Sequence, residues 1–306
     1  MAETLINWQM KRNRLPLIFG EVLFDCFPNG REILGGAPFN VAWNLQALGI
    51  SPLLVSRIGD DDHGHRILEK MKAWNMHTGC LQVDSSYPTG KVRIELSGGE
   101  PLFTILPEQA YDYISPPDLK SPIDPPFLYH GSLALRNEVS FNTLSRLKQD
   151  FKCPIFVDVN LRDPWWNAEK VHNLMADATW LKLNKSEMET LFPGPADPAQ
   201  NCMQILDRFD NLDAVFVTSG SEGAAAWTRD DLFASVAPGT SIDIVDTIGA
   251  GDAFSSVLLT GLARGWQLTT ILERAQEFAS SVVGLQGAVT EDKDFYEHFT
   301  MQWDLQ

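Results

Sequence analysis

Short, uniformly apolar runs that stop at Gly, Asn or a charged residue constrain this chain more than any other feature. Leu15–Phe19 (LPLIF) runs into Gly20, and similar runs recur as PLLVSRIG from Pro52, PIFVDVN from Pro154, TWLKLN from Thr179 and AVFVTSG from Ala214. Such runs fit strands that are covered on both faces. Between them stand segments whose apolar positions repeat near every 3.6 residues, among them Phe39–Leu48 and His65–Trp74. Strands alternating with helices predict βαβ units, and therefore an α/β fold whose mostly parallel sheet carries helices on both faces.

One region breaks the rhythm. In KVRIELSGGEPLFTI (Lys91–Ile105), Val92, Ile94 and Leu96 alternate with polar residues before Gly98 and Gly99 offer a turn. That is the pattern of a half-exposed hairpin. Glu21–Leu34 can add extended chain to the same small sheet, and short strands beside an α/β core would make a lid. The expected organisation is one α/β domain over residues 15–300, with lid segments near 21–34 and 87–110 and a polar leader over 1–14. Pro116–Pro126 is Pro-rich and reads as a loop.

Charge limits the partners. With 24 Lys and Arg against 40 Asp and Glu, the formal charge is −16. A field of that sign repels polyanions, so neither nucleic acid nor an anionic membrane is an expected partner. A phosphorylated ligand would have to be held locally, by oriented backbone amides, a divalent cation or a few placed side chains. Cys26, Cys80, Cys153 and Cys202 show no CxxC spacing and read as thiols of a reducing compartment. MAETLINWQMKRNR lacks the continuous apolar stretch of a signal peptide, so the expected address is the cytoplasm.

The most informative stretch is IVDTIGAGDAF, Ile244–Phe254, which runs into the apolar-periodic SSVLLTGLARG. Gly249, Ala250 and Gly251 just ahead of a helix let successive amides turn toward one point at the positive end of the helix dipole. Asp252 beside that anion hole suits a base that takes a proton from an attacking hydroxyl. An Asp in a first helical turn also simply complements the dipole, for about 0.3 to 1 kcal/mol, and spacing leaves both readings open.

DTIGAGDAF resembles the C-terminal signature D-T-x-G-A-G-D-x-F of the ribokinase-like, or PfkB, carbohydrate kinases. GGAPFNVAWNLQALG, Gly35–Gly49, is similar to the family's N-terminal signature, and the likeness runs from Pro16 to about Val289. The resemblance implies a ribokinase-like three-layer α/β/α core with a small β-sheet lid. It implies Asp252 as the base, the Gly249–Gly251 amides as the anion hole, and Asp25, Gly36 and Asn40 on the sugar. An ionised carboxylate and an amide can hold neighbouring hydroxyls in one orientation.

Asn184 and Glu187 match the family's N-x-x-E motif, which implies that Glu187 helps hold Mg²⁺ through water near the phosphates of ATP. The same pair is also a good helix cap. VTSGSEG matches V-T-x-G-x-x-G and implies Thr218, Gly220 and Gly223 beside the nucleotide. Asp246 is implied as a ligand of K⁺, as in relatives that use that ion. DVNLRDPWW, Asp158–Trp166, resembles a stretch of fructokinase-like members and offers Arg162 to substrate or phosphate, with a structural salt bridge as the other reading. With GGAPFNVA it points to fructose and its 6-phosphate; ribose, 2-keto-3-deoxygluconate and nucleosides are acceptors of other members. A homodimer through the lid is implied by relatives that form one.

DDDHGH, Asp60–His65, looks like a metal cluster but matches a family loop, and transition-metal sites draw ligands from more than one segment. Rival classes fare worse. A nicotinamide dehydrogenase needs G-x-G-x-x-G after the first strand, where this chain has GEVLFD. A Walker loop fails at Gly90-Lys91, which is followed by Val92, and a hydrolase elbow at Ser221 would need Gly where Ser219 stands. A non-catalytic sugar- or nucleotide-binding descendant is opposed by the intact GAGD.

Overall fold

The computed structural model describes residues 14–97, 100–119, 122–194, 197–238 and 245–305. Most of the leader, the Gly98–Gly99 turn and Ile244 of the C-terminal motif lie outside the described residues. Strand β1 (Leu17–Phe19) starts the main sheet, and the chain then leaves it for β2 (Leu23–Cys26) and β3 (Glu32–Gly35). It returns through helix α1 (Ala37–Ala47), β4 (Leu53–Gly59), α2 (Asp62–Ala73) and β5 (Leu81–Asp84). A second departure gives β6 (Gly90–Ser97) and β7 (Glu100–Ile105).

The alternation then resumes with β8 (Leu128–His130), α3 (Glu138–Phe151), β9 (Ile155–Asp158), α4 (Ala168–Ala176) and β10 (Trp180–Asn184). After α5 (Lys185–Leu191) and α6 (Pro198–Arg208) come β11 (Ala214–Thr218), β12 (Ala224–Thr228) and β13 (Phe233–Val236). Three helices close the chain: α7 (Ala250–Arg264), α8 (Leu268–Val283) and α9 (Lys293–Gln302).

The main sheet has nine strands in the order β13-β12-β11-β10-β9-β8-β1-β4-β5. Pairings are parallel from β11 through β5, and at one edge β12 runs against the rest, pairing antiparallel with both β11 and β13. Each strand divides its side chains between two cores. Ile18, Leu54, Phe156 and Phe216 face the core that includes α1, α7 and α8. Their neighbours Leu17, Phe19, Leu53 and Val55 face a second cluster with α3, while Val157, Leu183 and Val217 face a third with α4 and α6. Period-two side-chain alternation inside an unbroken apolar run is why these strands show no polar face in the sequence.

The expected α/β/α layering with a small separate sheet is what forms. The small sheet runs β3-β2-β6-β7, with β2 and β6 parallel and both outer pairs antiparallel. Helix α1 departs from the amphipathic expectation, because Ala37 through Leu45 are all buried. It lies between the sheet and α7, and only Gln46 and Ala47 at its end are partly exposed. No helix among the described residues is long and apolar enough to cross a membrane, and the four cysteines are free.

Candidate active site

Parallel strands that share one direction bring their C-terminal ends to one edge of the sheet, where open α/β folds bind ligands. Here that edge collects Glu21 after β1, Asp158 at the end of β9, Asn184 at the end of β10 and Thr218 at the end of β11. Asn184 and Thr218 are direct partners in the β10–β11 register.

Helix α7 points its N-terminus at this edge. Gly249 is its N-cap at φ +82°, and a side chain there would collide with Ala288. The turn therefore demands glycine, both for the left-handed backbone and for the close approach. Asp252 follows in the first turn. The first amides of a helix have no acceptor within it, so Gly251 and Asp252 can present N–H groups to an anion. The amide of Ala250 instead leans back on Thr247 O at 3.4 Å, a long contact.

Asn40, 3% exposed on α1, donates from Nδ2 to Asp252 Oδ2 at 2.7 Å. Its Oδ1 is buried and has no partner among the described residues. Asp25 lies on the other side of the same space: a Cβ placed on Gly35 would sit 3.5 Å from Asp25 Oδ2 and 3.9 Å from Asn40 Oδ1. Gly36, at φ +106°, lets the turn before α1 touch Glu21 O, which a Cβ would approach to 2.7 Å. Asp25, Asn40 and Asp252 thus border one space, although they come from β2, α1 and α7.

Electrostatics mark the same place. Burial, opposed by the Asn40 hydrogen bond, raises the Asp252 carboxyl above its ordinary range. Burial also pushes Asp25 up to about 6 and Glu21 up to about 7, and in both cases the field of Arg162 works the other way. Arg162 is exposed, donates to Leu161 O at 3.0 Å and forms no ion pair with a described residue.

A buried ion pair that sequence reading does not single out lies beside the first turn of α7. Lys182 Nζ is 3.0 and 3.1 Å from the two oxygens of Asp158, and Ser255 Oγ donates to Asp158 Oδ2 at 2.7 Å. A Cβ on Gly251 would be 3.1 Å from that ammonium. Burial opposes the charge on Lys182, but Asp158, Glu187 and Asp252 outweigh it and hold the ammonium above its ordinary range. The signal was present in WLKLN, a cation inside an apolar strand. Glu21, 2% exposed and with Oε2 unpartnered, is a second residue the motifs do not reach.

Asn184 and Glu187 form a reciprocal capping box on α5. Glu187 Oε2 accepts from the Asn184 amide at 2.8 Å, and Oε1 from the Leu161 amide at 2.9 Å. Each oxygen keeps a lone pair, so this buried carboxylate can also accept from water around a divalent cation. The capping and functional readings are compatible.

At the end of β11, Gly220 and Gly223 have φ of +54° and +94°, and Gly223 packs on Val236 so closely that no side chain fits. Asp246 holds the loop before α7, accepting from Ile248 N at 2.9 Å and Gly287 N at 3.3 Å. In the DDDHGH segment two of the acidic side chains are engaged locally. Asp61 caps α2 through Gly64 N and accepts from Thr89 Oγ1, while Asp60 pairs with His65 on the surface.

The sequence matches the pfkB family carbohydrate kinase profile over residues 7–294. It is 30% identical over 276 residues to "Fructokinase-2" of Zea mays, covering 82% of this chain and 81% of that protein. Among solved structures, a fructokinase with bound ATP from Xylella fastidiosa superposes with a TM-score of 0.78 at 21% identity, covering 95% of this chain and 99% of that one. A Vibrio cholerae O395 fructokinase with fructose, ADP and calcium bound gives 0.76 at 23%, covering 90% and 95%. The fold is ribokinase-like.

Proposed function

The chain belongs to the pfkB family of carbohydrate kinases, and from that premise we propose that it transfers the γ-phosphate of ATP to the primary 6-hydroxyl of fructose. The observation that supports this reading most is the convergence of Asp25 and Asn40 with Asp252 at the N-terminus of α7. It sets hydroxyl-binding groups, a proton acceptor and amide donors around one space.

In this reading Asp25 accepts hydrogen bonds from sugar hydroxyls, and the free Oδ1 of Asn40 accepts another. Asp252 takes the proton of the attacking hydroxyl as its oxygen closes on the γ-phosphorus. A carboxylate kept above its ordinary range by burial is a better proton acceptor than a solvated one. The Gly251 and Asp252 amides, with the α7 dipole, stabilise charge that develops on the transferring phosphoryl group. Lys182 lies close enough to Gly251 to add its field, and the charge of Arg162 acts on Glu21, Asp25 and Asp252. A divalent cation, for which we propose Mg²⁺, would neutralise phosphate charge, and Glu187 is placed to hold its water shell. Thr218, Gly220 and Gly223 are assigned to the nucleotide, and Asp246 to a monovalent cation such as K⁺. Closure of the small sheet over the sugar would exclude water as a competing acceptor.

The test is ATP-dependent phosphorylation across fructose, ribose, 2-keto-3-deoxygluconate and nucleosides, with the phosphorylated position determined in each product. A preference for fructose, with phosphate on its 6-oxygen, is expected. A preference for ribose or a nucleoside would overturn the choice of acceptor.

A further inference from the structure

The small sheet meets helix α2 at a second cluster, on the face of β2 opposite Asp25. Cys26 and Glu32 are direct partners across the β2–β3 ladder, so their side chains leave the sheet on one face. His63 reaches the same face from the first turn of α2. The thiol sulfur, one Glu32 oxygen and one His63 ring nitrogen all lie within 4.8 Å of one another, and all three residues are half-buried. We propose that Cys26, Glu32 and His63 form a site for a thiophilic divalent metal of the zinc class, which ties the small sheet to helix α2.

The ligand chemistry fits. Thiolate, imidazole and carboxylate are the three side-chain donors zinc prefers, at about 2.3, 2.0–2.1 and 2.0–2.2 Å. Tetrahedral bonds of those lengths put ligand atoms roughly 3.3 to 3.7 Å apart, so the cluster closes with shifts of about 1 Å. Arg66 Nη1 holds Glu32 Oε2 at 2.5 Å, which orients the carboxylate, while Oε1 and His63 Nε2, hydrogen-bonded to each other at 2.8 Å, would exchange that bond for bonds to the metal.

Cys26 Sγ has only a weak contact with Phe24 O at 3.7 Å to give up. On binding, the sulfur–metal bond forms as the thiol proton leaves to solvent, the Glu32–His63 hydrogen bond breaks with the imidazole proton carried on Nδ1 so that Nε2 can bond the ion, and water fills the fourth position. Thiolate and carboxylate balance the charge of the ion; Arg66 and, at longer range, Lys91 oppose it. DDDHGH alone lacks ligands from a second segment, and the fold supplies them from β2 and β3.

The site does not rest on the phosphoryl-transfer reading, so its test is binding. The reduced full-length chain is titrated with Zn²⁺ against a chromogenic chelator, and separately with Co²⁺ to record thiolate-to-metal charge-transfer absorption. One equivalent is expected. Cys26→Ser and His63→Gln should each weaken Zn²⁺ binding by more than about tenfold, and Cys26→Ser should abolish the Co²⁺ band. Cys153→Ser, at a half-buried thiol elsewhere, should change neither. His63→Gln keeps a donor for Glu32, and metal-free thermal unfolding checks that both variants remain folded. Binding unchanged by Cys26→Ser, or a Co²⁺ spectrum without a thiolate band, overturns the proposal.

Discussion

The Asn40 amide donates to Asp252 Oδ2 at 2.7 Å across 212 residues of sequence. This one hydrogen bond joins the glycine-rich motif before α1 to the glycine-rich motif before α7. It also fixes which Asp252 oxygen is engaged, leaving Oδ1 to meet a hydroxyl. An amide donor favours the ionised carboxylate, which is the form a proton acceptor needs.

Replacing Asp252 with Asn keeps an oxygen for Asn40 and removes the proposed proton acceptor. Turnover should fall by about 10² to 10⁴ while sugar affinity changes little. Steady-state kinetics and calorimetric sugar binding check this together; near-normal turnover would reject the assignment.

Asn40→Ala removes the contact that lowers the Asp252 carboxyl, so burial acts unopposed by it and the carboxyl rises further. The base is then protonated at higher pH. The acidic limb of the kcat/KM profile should move upward, with a rise in sugar KM from the lost Oδ1. A limb at the wild-type pH would separate Asn40 from the base.

Glu21 bears on stability against pH. Burial raises its carboxyl from 4.5 to about 7, so the folded protein keeps a proton that the unfolded chain releases. Its contribution is most favourable below about 4.5, declines as pH rises toward 7, and stays unfavourable above that. A displacement of that size corresponds to about 3 kcal/mol. Glu21→Gln should therefore stabilise the fold at pH 8 by about 1–3 kcal/mol relative to its effect at pH 4, read from urea unfolding at both pH values.

Lys182→Met leaves Asp158, 1% exposed, as a buried charge without its counter-ion. Destabilisation of about 3–5 kcal/mol is expected. Adding Asp158→Asn should recover much of it, and a double-mutant cycle by chemical denaturation measures the coupling. Additive losses would show that the two side chains do not act as a pair.

Gly249→Ala places a Cβ 2.1 Å from that of Ala288 at a φ of +82°. Turnover should drop and the thermal midpoint should fall. A second change, Ala288→Gly, should recover part of the midpoint, because it relieves the collision but not the left-handed backbone, which costs about 1 kcal/mol for an L-residue. Full recovery would mean that the backbone conformation carries no cost there.

Much of this was legible along the chain. The runs at Pro52, Pro154, Thr179 and Ala214 contain β4, β9, β10 and β11, since a strand buried on both faces must be apolar throughout. Val92 and Ile94 mark β6 by alternation for the opposite reason, with one face left to water. Less legible were strands as short as Leu128–His130, which too few residues define, and the total burial of α1, which depends on what packs over it.

Sequence by itself determined the local chemistry: which glycines can turn amides outward, which carboxylate follows them, and where strands and helices alternate. These follow from backbone sterics and side-chain period, which act over a few residues. Only the tertiary structure decided that Asn40 reaches Asp252, that Lys182 lies behind Gly251 with Asp158, and that His63 meets Cys26 and Glu32. Such contacts are set by the order in which strands pair and by the layer each helix occupies, and no spacing along the chain encodes a distance across the sheet.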